Sequence, residues 1–145
     1  GEYYMKKLYL SGEAAVLKEA YSELRGVEAV TGGIAEASNE LKIKGVEIDY
    51  NPKKIDICEL LKTYFEVVDP YVLAEDPLLQ PAVVYCSSED VPQIEYYARY
   101  MQSRGAEPAA ALGNLIMNDS ITPGREIRKM LVNYGRLVKF TGEEA

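Results

Sequence analysis

The chain has no histidine and no tryptophan in its 145 residues, and only two phenylalanines and two cysteines. Without histidine, Ser–His and Cys–His nucleophilic pairs are excluded. A zinc site would have only Cys58 and Cys86 as soft ligands, so no metal and no cofactor is expected. Two cysteines are too few for a disulfide framework and fit a reducing compartment, which makes a cytoplasmic location the expectation. No apolar run approaches the ~18 residues of a membrane span, and no secretory leader is expected before the first strand. Positive charge is also scarce. Sixteen Lys/Arg stand against 23 Asp/Glu, a net charge of −7, which argues against nucleic acid as a partner. That charge is uneven: residues 121–145 hold five Lys/Arg and three Asp/Glu, a net +2 against −9 for the remainder.

What is present is an ordinary globular composition, 48% hydrophobic and 27% charged, with twelve tyrosines. Residues 1–145 read as one domain, long enough to bury a core. The chain opens on a strand at 8–10, a Ser11-Gly12 turn, and a helix from Glu13 with apolar residues at Leu17, Ala20, Tyr21 and Leu24. Gly26 falls where an αL C-cap is expected. Such a corner aims backbone N–H groups and the positive end of a helix dipole at whatever occupies the turn. A second strand is expected over 27–34, interrupted at Thr31-Gly32-Gly33, with 35–40 a connection. A third covers 41–50, but its apolar alternation changes phase at Gly45. Either a bulge sits there, or Lys42 and Lys44 point to the same face as Val46.

The second helix spans about 55–67, its stripe formed by Ile57, Leu60, Leu61, Tyr64, Phe65 and Val68. A loop over 71–80 leads to a short, wholly apolar strand at 81–86. Ser88 can cap a third helix whose core face carries Ile94, Tyr97, Ala98 and Met101. A weaker strand near 109–117 and a fourth helix from Thr122-Pro123 to about Tyr134 complete the expectation. The order implies an α+β domain built on a ferredoxin-like split β-α-β core, one largely antiparallel sheet with helices packed on it.

Residues 12–27 lie without gaps on the Gly-Cys-Phe-Trp-Gly-Val-Glu-Glu-Ala-Phe…Gly-Val segment of the type A peptide methionine sulfoxide reductases (MsrA), and the chain resembles that family. Val-Glu-Ile-Asp-Tyr-Asn-Pro at 46–52 is similar to the family's Val-Glu-Val-Glu-Tyr-Asp-Pro. The helix ending in Asp69-Pro70 is similar to Leu-Leu…Phe-Phe-x-x-His-Asp-Pro, and Asp76 and Gln80 match the ends of an Asp-x-Gly-x-Gln loop. Residues 122–131 resemble the late Pro-Ala-Glu-x-Tyr-His-Gln helix.

At the functional positions the resemblance fails as a set. The family's cysteine nucleophile is replaced by Glu13, its Phe-Trp pair by Ala14 and Ala15, its pocket glutamate by Lys44 and its tyrosines by Pro81 and Ile34. Ile127-Arg128-Lys129 stands in place of Tyr-His-Gln. A carboxylate cannot form the sulfenic acid on which that reduction depends. The resemblance therefore implies a catalytically silent homologue, a pseudoenzyme kept as a binding or interaction module. Its ligand, a small molecule or peptide, would meet Gly12, Glu13, Ala14, Ala15, Lys44, Asp76 and Gln80. Two alternatives stand beside it. One is an active reductase using Cys58 or Cys86; the other is a structural homo-oligomer.

Glu13 itself has three readings: a first-turn glutamate that favours the helix start by ~0.3–1 kcal/mol, a salt bridge to Lys44 filling the old site, or a catalytic carboxylate. Cys58 and Cys86 read as small apolar packing residues. Tyr96 and Tyr100 form an i, i+4 pair off the core stripe, and Arg125, Arg128, Lys129, Arg136 and Lys139 read as a solvated helical face or a contact for an acidic partner.

Overall fold

A computed structural model describes residues 4–104 and 131–143. The elements in order are β1 (Lys6–Ser11), α1 (Ala14–Tyr21), β2 (Val27–Ala37), β3 (Lys42–Tyr50), α2 (Ile57–Val67), β4 (Ala82–Tyr85), α3 (Val91–Arg104) and β5 (Asn133–Gly142). Short 3-10 turns occupy Pro77–Leu79 and Ser88–Asp90.

The α+β class and the single, largely antiparallel sheet are as expected, but the sheet is not an open split β-α-β layer. Its strands run β1-β3-β2-β5-β4 and close into a barrel where β4 pairs again with β1. Among the described strands only the β4–β5 pair is parallel. The closing strand β5 lies where the fourth helix was expected to end at Tyr134, so Arg136 and Lys139 sit on a strand and not on a helical face. The strand expected at 109–117, the start of that helix, and Arg125, Arg128 and Lys129 lie outside the described residues.

Alternation along each strand divides the core in two. Leu8, Leu10, Val46, Ile48, Tyr50 and Val83 face outward and are covered by the helices, through Leu17 and Tyr21 of α1 and the stripe of α2. The opposite face, with Tyr9, Ala35, Ala37, Ile43, Ala82 and Val84, packs against itself and fills the barrel. Small residues are required there. A Cβ on Gly45 would fall 1.9 Å from the Leu10 carbonyl oxygen, and one on Gly33 would fall 2.4 Å from the Thr141 carbonyl oxygen.

That close approach explains the phase change in β3. No bulge occurs at Gly45, which pairs in register with Ser11 on one side and Gly33 on the other. Instead Ile43 fills the barrel, Val46, Ile48 and Tyr50 meet the helices, and Lys42 and Lys44 emerge on the Val46 side. The pairing of β2 with β5 slips between Glu36 and Ala37, and in the pairing of β2 with β3 the irregularity lies between Val27 and Ala29. Beyond it β2 runs unbroken through Gly32-Gly33 to Ala37, taking in half of the expected connection.

Helix α2 starts at a capping box formed by Asp56 and Glu59. The Asp56 side chain accepts from the Glu59 amide at 2.8 Å, and Glu59 reaches back to the Asp56 amide at 3.3 Å. Ile57, Leu60, Leu61 and Tyr64 are buried, while Phe65 and Val68 are half-buried against the same core. The Tyr21 hydroxyl donates to the Leu60 carbonyl at 2.5 Å and ties α1 to α2. Gly26 does have a positive φ of 96°, yet α1 has already ended at Tyr21. Gly26 serves the entry to β2, where a Cβ would come 2.6 Å from Ile55 Cγ2.

Candidate functional site

β1 delivers the chain to the corner singled out by the sequence. Ser11 is fully buried, and its hydroxyl donates to the Gln80 carbonyl at 2.6 Å. The Tyr64 hydroxyl lies 3.0 Å from Ser11 Oγ, donates to the Ser11 carbonyl at 2.7 Å and accepts from the Ala82 amide at 3.2 Å. Burial pushes the Tyr64 hydroxyl up to about 12, against the opposing pull of its contacts with Ser11 and Ala82. Gly12 then turns the chain with a φ of 147°, its amide donating to the Lys44 carbonyl at 3.0 Å. Glu13 is the N-cap of α1, with φ −65° and ψ 121°, and its side chain makes no cap hydrogen bond.

Glu13, Ala15 and Lys44 are exposed, and Ala14 is half-buried. The Glu13–Lys44 salt bridge expected from the alignment is not formed. Among the described residues the ion pairs are Lys6–Asp90, Lys7–Glu47 and Lys7–Asp49. The reason is the continuity of β3, which brings the Lys44 carbonyl to Gly12 while leaving both charged side chains in water. An exposed pair there would gain only ~0–1 kcal/mol before side-chain ordering. A different acid reaches the corner. The Glu143 amide donates to the Gly32 carbonyl at 2.8 Å, and its carboxylate lies beside Ala14 over the Cα of Gly32. Nothing local in the sequence marks Glu143; only the pairing of β5 with β2 brings it here.

Asp76 and Gln80 are held in loop structure. Asp76 caps the 3-10 turn by accepting from the Leu78 amide at 2.9 Å. Gln80 accepts from the Ala74 amide at 2.8 Å and donates to the Leu131 carbonyl at 2.7 Å, which closes the loop before β4. Pro81 is buried, and its carbonyl accepts from the Asn133 amide at 3.3 Å. The structure thus brings together Gly12, Glu13, Ala14 and Ala15, with the Lys44 backbone and Glu143 beside them.

Both thiols lie elsewhere. Register places Tyr85 opposite Leu8, so Cys86 follows at the Lys7 end of β1, roughly four residues and ~13 Å along the strand from Ser11. Contrary to the packing role expected of it, Cys86 is exposed. Cys58 is half-buried in the first turn of α2, its Sγ 3.9 Å from the Gln93 carbonyl. Burial raises both thiols above their ordinary pKa. Asp56 and Glu59 reinforce the shift at Cys58, and Tyr9 and Lys7 oppose it at Cys86. Around Cys86 stands a polar group that sequence reasoning missed. The Tyr9 hydroxyl donates to Glu47 at 2.7 Å, and Lys7 lies 3.3 Å from both Glu47 and Asp49. Burial, then Glu47, drives the Tyr9 hydroxyl far above its usual range.

Among the described residues, no helix is long and apolar enough to cross a membrane, and no group of three His, Cys, Asp or Glu side chains could hold a metal. No family model matches the chain, and no curated protein sequence matches it. Solved structures do. Reduced Mxr1 from Saccharomyces cerevisiae superposes with a TM-score of 0.70 at 13% identity, covering 97% of this chain and 80% of that one. Mxr1 in complex with Trx2 gives 0.65 at 15% identity, over 94% and 79% of the two chains. Methionine sulfoxide reductase A of Corynebacterium diphtheriae gives 0.58 at 13% identity, over 92% and 72%. The likeness is one of fold.

Proposed function

We propose that this chain keeps the fold of the type A methionine sulfoxide reductases without their chemistry, and serves as a binding or interaction module. The observation that carries this reading is the occupant of the α1 N-cap. Glu13 stands at the position the family resemblance gives to the nucleophile, and a carboxylate has no sulfur to oxidise. In this reading neither cysteine substitutes for it. Cys58 is on α2 and Cys86 follows β4, and burial raises both thiols above their ordinary pKa, whereas the thiolate is the nucleophile. The aromatic pair that would grip a substrate methyl group is Ala14 and Ala15, and Glu143 lies over the space beside them.

The ligand of the corner, in this reading, is a small molecule or peptide offering hydrogen-bond donors or a positive group to Glu13 and Glu143. Residence in a reducing cytosol, suggested by the unpaired thiols, belongs to the same proposal, as does the split β-α-β ancestry of strands β4-β1-β3-β2.

The test is direct. Incubation with methionine-S-sulfoxide and either dithiothreitol or thioredoxin is expected to give no turnover above a control without protein. Turnover abolished by Cys58→Ser or Cys86→Ser overturns the proposal in favour of a reductase with a displaced nucleophile. A thermal-shift screen with methionine and its sulfoxides then reports ligands of the folded state, since binding raises the midpoint.

A further inference from the structure

A second concavity lies away from the α1 corner and shares no residue with it. It is a cleft of about 270 Å³ between α2, α3 and the β4–β5 pair. Its base is core: Leu61 and Val83 are 1% exposed and Ile94 is 2% exposed. Phe65, Ala98 and Val132, all half-buried, continue the apolar lining toward the surface. The volume is just below the ~300–1,000 Å³ typical of ligand pockets.

The rim differs in character. Arg99 of α3 is exposed, borders the cleft and makes no ion pair among the described residues. The nearby acid is already engaged, because Glu95 accepts the Tyr134 hydroxyl at 2.7 Å. That bond leaves Tyr134 as a wall of the cleft and keeps Glu95 turned to β5. A guanidinium that makes no ion pair among the described residues, above an apolar slot, suits a ligand with an aliphatic body and an anionic head: the body removes apolar surface from water, and the head receives a charge-assisted hydrogen bond.

We propose that this cleft binds an aliphatic carboxylate of roughly six to ten carbons, a size set by its modest volume, with the chain against Val83 and Ile94 and the carboxylate on Arg99. The site goes beyond the function proposed for the α1 corner and does not depend on it.

Octanoate is the probe. Titrated into the full chain, it is expected to bind saturably and to perturb the backbone amides of Ala98, Arg99, Val132 and Tyr134 while leaving Gly12 to Ala15 unmoved. Octanol, which lacks the charge, and the Arg99→Gln variant are each expected to weaken binding by about tenfold or more. Ala98→Leu, which fills the cleft, abolishes it. Arg99 is exposed, so its variant reports on binding even if Ala98→Leu does not fold. Absence of saturable binding overturns the proposal. So does binding that perturbs other residues, or equal affinity for octanol and octanoate with no effect of Arg99→Gln.

Discussion

The Gly12 amide donates to the Lys44 carbonyl at 3.0 Å, yet the side chains of Glu13 and Lys44 form no ion pair. Main chain and side chain thus part company at the corner, and the consequence is measurable. Lys44→Gln should change stability by no more than ~0.5 kcal/mol, in the range of surface substitutions. Glu13→Gln should cost at most the ~0.3–1 kcal/mol of a helix-start acid. In a double-mutant cycle the two should add within ~0.5 kcal/mol; a larger coupling in denaturant unfolding would show that the pair meets in solution.

Gly45 offers the sharpest packing test. Its virtual Cβ meets backbone, 1.9 Å from the Leu10 carbonyl oxygen and 2.7 Å from Ser11 Cα, so β1 and β3 must separate to admit it. Gly45→Ala is expected to cost at least the ~1–3 kcal/mol of overpacking. Gly142→Ala is the control, since its nearest neighbour would stand 3.6 Å away. Equal unfolding midpoints for the two variants would contradict the barrel register.

Tyr64→Phe removes one hydroxyl that serves the Ser11 carbonyl and the Ala82 amide at once. Both partners are buried, so a loss of ~1–3 kcal/mol is expected. Leu61→Ala, one turn earlier on the same helix, should cost ~2–5 kcal/mol as a fully buried truncation. Denaturant midpoints measure both. A loss under ~0.5 kcal/mol at either site, as for a surface position, would displace α2 from the centre of the core.

Alkaline pH should unfold the chain. Tyr9, Tyr21, Tyr50 and Tyr64 all have hydroxyls raised in the fold, with burial the first cause in each. A folded pKa above the unfolded ~10 gives stability that is complete below that value and falls as pH rises through the folded one. Stability should therefore decline from about pH 10, and be much reduced by about pH 12, where Tyr64 ionises. Near-ultraviolet tyrosinate absorbance should rise together with the loss of helical circular dichroism. Ionisation of these four side chains without unfolding would contradict their burial.

Helix α2 is legible in the sequence because one stripe at helical spacing does all its packing. β5 is not legible, for a physical reason. Tyr134, Leu137 and Val138 fall at i, i+3 and i+4, which imitates a helix. The strand hides its period of two because its register slips: Ala35 faces Phe140 and Ala37 faces Leu137, leaving Val138 67% exposed between them. The missed strand also hides the closed barrel and Glu143, since both depend on the pairing of β5 with β2, about a hundred residues away in the chain. The Gly12–Ala15 corner was readable because strand, turn and helix are consecutive. Whether Glu13 and Lys44 touch was not, because side-chain direction on β3 is set by the Gly45–Leu10 contact.

The strand that closes the barrel is the last of the described strands to be synthesised, which bears on how the chain leaves the ribosome. At ~5–20 residues per second, β1 to β4 are complete well before Asn133 to Gly142 emerge. Through that interval the nascent sheet ends in β2 on one side and β4 on the other, each with an unpaired row of backbone donors and acceptors. Such rows invite pairing with a neighbouring chain. A chain stalled or cut ahead of Asn133 would keep both edges open, and would be held soluble by chaperones or lost to aggregation. In the finished barrel β5 covers Gly33–Ala37 of β2 on one side and Ala82–Tyr85 of β4 on the other.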